Sequence, residues 1–370
     1  MTQQTLDYAP RAGRRIKSMA APKLAYEPCD PRKYWPNIGL IGCGTITEDH
    51  LSAYQAAGYK VVALCDLIRQ RAEQRREQFF PNADIYTDYR RILERDDIEV
   101  VDIATHPAER LPIIQEAILA KKHVLSQKPF VLNLDTGQKL VDLARKQRVK
   151  LAVNQNARWA PHFSYIRNAI ADGLIGKVMG VHLSRHWDLN RIKGTRFDEL
   201  PHVILYDVAI HWFDILTCFM SGQVAKRVYA SSTHAMDQDA KQPLLAQAVV
   251  EYDHSQATLA FDGNTRFGVQ DHTLVSGTDG TISAQETCTS PMELRLCTAR
   301  GLATPKLRGA WFPDGFHGTM GELLCAIEQN REPDNSAENN LRSLALSFAA
   351  IKAAETGKPQ IPGKVRRLPV

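Results

Sequence analysis

The stretch Asn37-Ile38-Gly39-Leu40-Ile41-Gly42-Cys43-Gly44-Thr45-Ile46-Thr47 runs from an apolar strand into a glycine turn, and Asp66 stands 22 residues beyond Gly44. Gly42 can make the tight turn and Gly44 lets a backbone approach a pyrophosphate, with Thr45 and Ile46 at the mouth of the helix that follows, Glu48 to Ala57. A second apolar run, Lys60 to Cys65, delivers Asp66. A carboxylate there accepts hydrogen bonds from a ribose and repels a 2′-phosphate. The pattern therefore predicts a dinucleotide-binding βαβ unit that prefers NAD. NADP is the less favoured alternative, kept open by Arg69 and Arg71 just beyond Asp66. Thr47 replaces the third glycine of the usual motif, so the context of strand, helix and acid carries the reading.

At 370 residues the chain exceeds the size at which one core stops growing, which predicts two domains. No run is long and apolar enough to span a bilayer, and the leading residues lack the apolar centre of a secretory signal. Arg14-Arg15 precedes a segment too short and too polar for export. The seven cysteines are scattered without a Cys-x-x-Cys pair and read as reduced thiols, so a cytoplasmic location is expected. Residues 1–36 hold seven basic and three acidic side chains, leaving the rest of the chain with a net charge of only +1 out of +5. No basic stripe marks the body, which argues against nucleic acid. The leading segment, rich in proline, is expected to be an arm that is either flexible or laid across a partner subunit.

Strand and helix alternate onward from Asp66: helix Arg69 to Phe79, strand Asp84 to Tyr86, helix Tyr89 to Arg95, strand Ile98 to Ala104, helix Leu111 to Ala120, strand His123 to Ser126, helix Leu134 to Gln147 and strand Lys150 to Asn154. That alternation predicts a parallel sheet covered on both faces over residues 37–156. After one more helix, Phe163 to Asp172, period-two segments dominate residues 157–370: Lys177 to Asp188, Ala225 to Ser231, Leu244 to Tyr252, Ala257 to Asp262 and His272 to Ser276. They predict an antiparallel sheet, followed by helices at Thr319 to Gln329 and Asn339 to Thr356.

Ligands of open α/β sheets sit outside the carboxyl ends of the strands. Ser126-Gln127-Lys128-Pro129 ends the fifth strand, so Lys128 is expected at the nicotinamide end, where an ammonium can stabilise a forming alkoxide. Thr105, Gln127 and Asn156, at neighbouring strand ends, are expected to contact the cofactor. In Leu205-Tyr206-Asp207-Val208-Ala209-Ile210-His211-Trp212-Phe213-Asp214, a helix places Asp207 and His211 on one face, with Asp214 on the same side. An imidazole can take a hydroxyl proton while a carboxylate orients it. Arg158 and Trp159 suit a polyhydroxylated substrate or, equally, tie the two domains together. His182, His186 and Asp188 share a strand face; residues four apart on a strand converge poorly on a metal, so no metal site is expected and His186 is read as a substrate contact.

Together these residues resemble the glucose-fructose oxidoreductase, inositol dehydrogenase and rhizopine catabolism family, Gfo/Idh/MocA. The resemblance rests on Gly42-Cys43-Gly44-Thr45-Ile46, Asp66, Lys122 to Pro129, and Asp207 with His211, and spans residues 37–358. It implies an α/β protein with an N-terminal Rossmann domain and a C-terminal α/β domain whose large, mainly antiparallel open sheet often mediates homo-oligomers (dimers or tetramers). It also implies hydride exchange between NAD(P) and a small polyol substrate, at a secondary hydroxyl of a sugar, sugar acid or cyclitol. By match, His211 is the general base, Lys128 lowers the alcohol's effective pKa, and Asp207 orients the imidazole or the substrate. The family's usual glutamate before the lysine is Gln127 here, its glycine-rich lead-in is Pro201 to Leu205, and its histidine after the fourth strand is missing from Pro107-Ala108-Glu109-Arg110. The alternatives are a redox-neutral isomerase or glycosidase with transiently reduced NAD, or a non-catalytic cofactor-binding regulator.

Overall fold

The computed structural model describes residues 17–287 and 290–369. Six parallel strands, β1 (Asn37–Ile41), β2 (Lys60–Cys65), β3 (Asp84–Tyr86), β4 (Ile98–Ile103), β5 (His123–Gln127) and β6 (Leu151–Asn154), pair in the order β3-β2-β1-β4-β5-β6. This is the doubly wound order, with its switch point between β1 and β4, where the chain reverses direction across the sheet. Helices α1 (Thr47–Ala57), α2 (Arg69–Phe79), α3 (Arg90–Leu93), α4 (Pro107–Leu119) and α5 (Leu134–Gln147) connect the strands. Because helices cover both faces, the strands are mainly apolar at their centres: Leu40, Val101 and Val124 are fully buried. Helix α4 starts four residues before the Leu111 expected from sequence. Pro107, which looks like a breaker, is tolerated in the first turn, where its missing N–H is no loss.

The second sheet has eight strands: β7 (Val178–His186), β8 (Arg227–Thr233), β9 (Leu245–Glu251), β10 (Gln256–Asp262), β11 (Gln270–Gly277), β12 (Gly280–Thr287), β13 (Ser290–Thr298) and β14 (Gly301–Ala303). They run in the order β14-β13-β12-β11-β7-β10-β9-β8. Only the β7–β10 pair is parallel, so the sheet is mainly antiparallel as expected; β12 to β14 extend it beyond the strands read from sequence. Val181, Leu183, Leu259, Phe261 and Val275 face inward, while Met179, Tyr229, Val249 and Leu274 stay exposed on the open face. Helices α6 (Pro161–Ala171) and α7 (Ile210–Phe219) precede β7 and β8 respectively.

The two halves interlock more closely than a division at residue 156 suggests. Helices α8 (Trp311–Glu328) and α9 (Ala337–Thr356) return to the first sheet, α8 packing on α1 and α9 on α5. Phe316, Met320, Leu323 and Leu324 of α8 share a core with Ile38, Leu40, Leu51 and Tyr54. At about 1.5–3 kcal/mol per buried side chain, that contact is a substantial part of what holds the first sheet.

The arm expectation needs correcting for residues 17–36; residues 1–16, including Arg14-Arg15, lie outside the described residues, as does Cys288. The described part lies on its own chain. Met19 N–H donates to Leu302 C=O at 2.9 Å, Tyr165 Oη donates to Pro22 C=O at 2.8 Å, and the Glu328 carboxylate takes the N–H groups of Arg32, Lys33 and Tyr34. The prolines that oppose helix and strand leave backbone groups free, and these side chains and strand edges satisfy them.

Candidate active site

The glycine turn is shaped by neighbouring backbone. Gly42 has φ +95°, and a Cβ there would lie 2.9 Å from the Ala104 carbonyl carbon, so no other residue fits. At Gly44 a Cβ would meet nothing within 4 Å, so its lack of a side chain serves space outside the protein. Thr47, in place of the third glycine, is fully buried and donates from Oγ1 to Gly44 C=O at 2.6 Å, tying turn to helix. Among the described residues, the N–H groups of Gly44, Thr45 and Ile46 find no protein acceptor. Three free donors at a helix N-terminus form an anion cradle. Asp66 accepts from Cys43 N–H and Ile68 N–H, both at 2.8 Å, which aims its carboxylate across the turn. The buried Thr105 Oγ1, just after β4, also lacks a partner among the described residues. These residues fit a dinucleotide.

Gln127 does not face such a ligand. It is buried, with its amide spent on Lys128 N–H (2.7 Å) and on the His50 ring (3.1 Å). Asn156 is also buried, and its Oδ1 accepts from Trp311 Nε1 at 2.9 Å. Arg110, in the segment from which the family's histidine is missing, is 1% exposed and donates to the carbonyls of Thr105, Gln127 and Pro129. Burial lowers the Arg110 guanidinium to about 10, which still leaves it charged at neutral pH.

Lys128, Asp207 and His211 come together along one cavity of about 450 Å³. Lys128 Nζ donates to Asp207 C=O at 3.0 Å and lies 3.3 Å from Asp207 Oδ1. The segment carrying Asp207 is not regular α-helix: Ile204–Val208 forms a π-turn in which Ala209 N–H donates to Ile204 C=O at 2.7 Å, and α7 begins after it. The wider turn sets Asp207 toward Lys128 rather than toward His211. His211 is 9% exposed, its Nδ1 has no protein partner among the described residues, and its ring packs edge-on against Trp311. The imidazole-orienting role expected of Asp207 is therefore not what the geometry provides. Burial, reinforced by the Lys128 charge, pushes the His211 imidazole well below its usual value, which favours the uncharged ring.

Three further expectations are corrected. Asp214 and Arg158 are both buried and form a two-bond pair (2.5 and 2.7 Å), with Ser343 Oγ donating to Asp214 at 2.8 Å. Arg158 is thus a tie between elements, not a substrate contact. Trp159 is 5% exposed, under the Arg167 guanidinium, and plays the same part. His186 points to the open face of the sheet, since the inward series Val181, Leu183 and Arg185 alternates with it. The same alternation delivers Arg185 and Trp187 to the cavity, and Arg191, Trp212, Trp311 and Phe312 are among the other residues of its wall. Strand parity could have found the first two. The contribution of α8 carries no local signal.

Residues 36–155 match the GFO_IDH_MocA oxidoreductase family with an NAD-binding Rossmann fold, and residues 163–283 match the GFO/IDH/MocA C-terminal domain. The chain is 26% identical over 353 residues to the D-apiose dehydrogenase of Paraburkholderia graminis, covering 86% of this chain and 88% of that protein. It is 25% identical over 336 residues to the inositol 2-dehydrogenase of Rhizobium meliloti, covering 85% and 96%. An oxidoreductase from Agrobacterium radiobacter, solved with NAD+, L-tartaric acid and magnesium, has the same fold: TM-score 0.79 at 21% identity, over 89% of this chain and 99% of that one.

Proposed function

This chain belongs to the Gfo/Idh/MocA oxidoreductase family, and from that premise we propose that it oxidises a secondary hydroxyl of a sugar, sugar acid or cyclitol, with NAD preferred over NADP. The observation that carries the reading is the convergence of Lys128, Asp207 and a neutral His211 on one cavity.

NAD, when bound, supplies the hydride acceptor. Gly44, Thr45 and Ile46 would hold its pyrophosphate and Asp66 its ribose. Lys128 donates to the substrate oxygen and favours the alkoxide over the alcohol. The hydroxyl proton passes to His211, which is free to take it because it is uncharged. Asp207 keeps the ammonium in place and can accept from a neighbouring hydroxyl. Aromatic walls from Trp187, Trp212 and Trp311 suit the C–H faces of a ring, while Arg185 and Arg191 offer donors to its polar edge.

Homo-oligomers through the open sheet face belong to the same reading, supported by exposed Tyr229, Val249 and Leu274; sedimentation showing only 41.5 kDa particles would overturn that part. So does a cytoplasmic location, supported by the six described cysteines being free thiols. The function itself is tested by a fluorescence screen for NADH or NADPH formation against sugars, sugar acids and cyclitols. Turnover that prefers NAD and is lost in Lys128→Ala and His211→Ala supports it. Cofactor binding with no reduced cofactor from any class counts against it.

A further inference from the structure

We propose that Gln127 is a positioning residue for Lys128 and that, through the same amide, it fixes His50 as the neutral, Nδ1-protonated tautomer. The inference rests on the reading of Lys128 given above and assigns work to two residues outside the cavity.

The polarity of the chain of hydrogen bonds is forced from one end. Lys128 N–H can only donate, so the Gln127 atom 2.7 Å away is the amide oxygen. The other end of that amide is then its NH₂ group, and it lies 3.1 Å from His50 Nε2. Asn154 Nδ2 reaches the same ring nitrogen at 3.3 Å. With amide donors aimed at it, Nε2 must be an acceptor, and the ring proton must sit on Nδ1. From there it donates to Asp102 Oδ2 at 2.7 Å, which also accepts from Tyr54 Oη at 2.7 Å. His50, Asp102, Tyr54 and Asn154 are fully buried, so the set is shielded from bulk solvent, with Asp102 Oδ1 left without a partner among the described residues. The groups facing His50 from each element are Asp49 and Tyr54 of α1, Asp102 of β4, Gln127 of β5, Asn154 of β6 and the Phe316 ring of α8.

Arg110 holds the same loop from its other side, through the carbonyls of Gln127 and Pro129. The backbone of Lys128 is therefore fixed at both ends, and only its side chain is left to answer to Asp207. A carboxylate at position 127 would need a proton on His50 Nε2 to complete the same chain, giving an imidazolium between two acids. The amide removes a negative charge and a proton together. Among the described residues, Lys128 consequently has Asp207 as its one paired counter-charge.

The test uses ¹⁵N NMR of histidine-labelled, full-length protein at neutral pH, with His50 assigned by its absence in His50→Asn. The wild type is expected to show the Nδ1-protonated neutral pattern at His50, and Gln127→Glu the imidazolium pattern. An Nε2-protonated or imidazolium pattern in the wild type overturns the proposal, and that spectrum decides even if a variant fails to fold. A neutral His50 in Gln127→Glu also overturns it. In turnover assays on a substrate from the screen, Gln127→Leu should lower kcat by about 10–100-fold with little change in KM, because Lys128 is displaced rather than lost; an unchanged kcat overturns the positioning claim. The spectra need no substrate, so failure of the dehydrogenase reading would show as an expected His50 pattern without turnover.

Discussion

The Lys128 ammonium sits 3.3 Å from the Asp207 carboxylate, while His211, four residues further along the chain, has no partner at Nδ1 among the described residues. The acid thus serves the lysine, and the imidazole is left to the substrate. Asp207→Asn should reduce kcat by about 10²-fold and Lys128→Met by about 10³-fold, since one loses a counter-charge and the other the oxyanion donor. Steady-state kinetics on the substrate found in the screen would check the order. Equal losses would mean that Asp207 acts on its own.

The two glycines of the turn should fail in different ways. Gly42→Ala puts a methyl against Ala104 in a left-handed backbone conformation, so we expect a lower melting temperature as well as lost cofactor binding. Gly44→Ala meets no protein atom and should fold normally, yet bind NADH at least about tenfold more weakly if a pyrophosphate passes there. Thermal unfolding paired with NADH fluorescence separates the two.

Asp66 braces the turn through Cys43 N–H and is the residue proposed to hold the ribose. Asp66→Ser should narrow the preference for NADH over NADPH by about tenfold or more, because the repulsion of a 2′-phosphate disappears. Binding titrations with both cofactors measure the ratio. If the wild type already favours NADPH, then Arg69 and Arg71 set the choice and the NAD preference is wrong.

Stability should fall on mild acidification. Burial, assisted by Lys150, lowers His123 to about 4, and burial, assisted by Arg185, lowers His162 to about 3. The unfolded chain takes up these protons near pH 6.5, before the native state does. Their contribution is therefore whole above about pH 6.5 and is lost as the pH drops toward those native values, at about 1 kcal/mol per pH unit per group. Urea midpoints between pH 7 and 4 would show the slope, and His162→Phe should flatten it.

Removing one side of the Arg158–Asp214 pair should leave a buried charge without its partner. Arg158→Met is expected to cost about 3–5 kcal/mol of stability. The molecules that stay folded should keep their cavity and their kcat. A selective loss of kcat without loss of stability would return Arg158 to the substrate site.

What could be read directly was whatever rests on local rules. The first sheet, its glycine turn and Asp66 follow from short-range patterns, as do the strands β7 to β11, whose period-two alternation survives translation into a sheet. Lys128 was legible because a strand end in an open α/β sheet has a fixed meaning. Asp207 and His211 were legible as residues but not in their mutual geometry, since a π-turn between Ile204 and Val208 breaks the 3.6-residue spacing that would have paired them.

The sequence by itself determined the fold class, the glycine turn and the three candidate site side chains, because each depends on residues close together along the chain. Only the tertiary structure decided which of them touch. It set Asp214 against Arg158, 56 residues apart, spent Gln127 on His50, 77 residues away, and brought Trp311 onto His211. The last of these contacts depends on how α8, from the far end of the chain, closes over the first sheet. No local pattern encodes that, because the burial that drives it is shared among residues hundreds of positions apart.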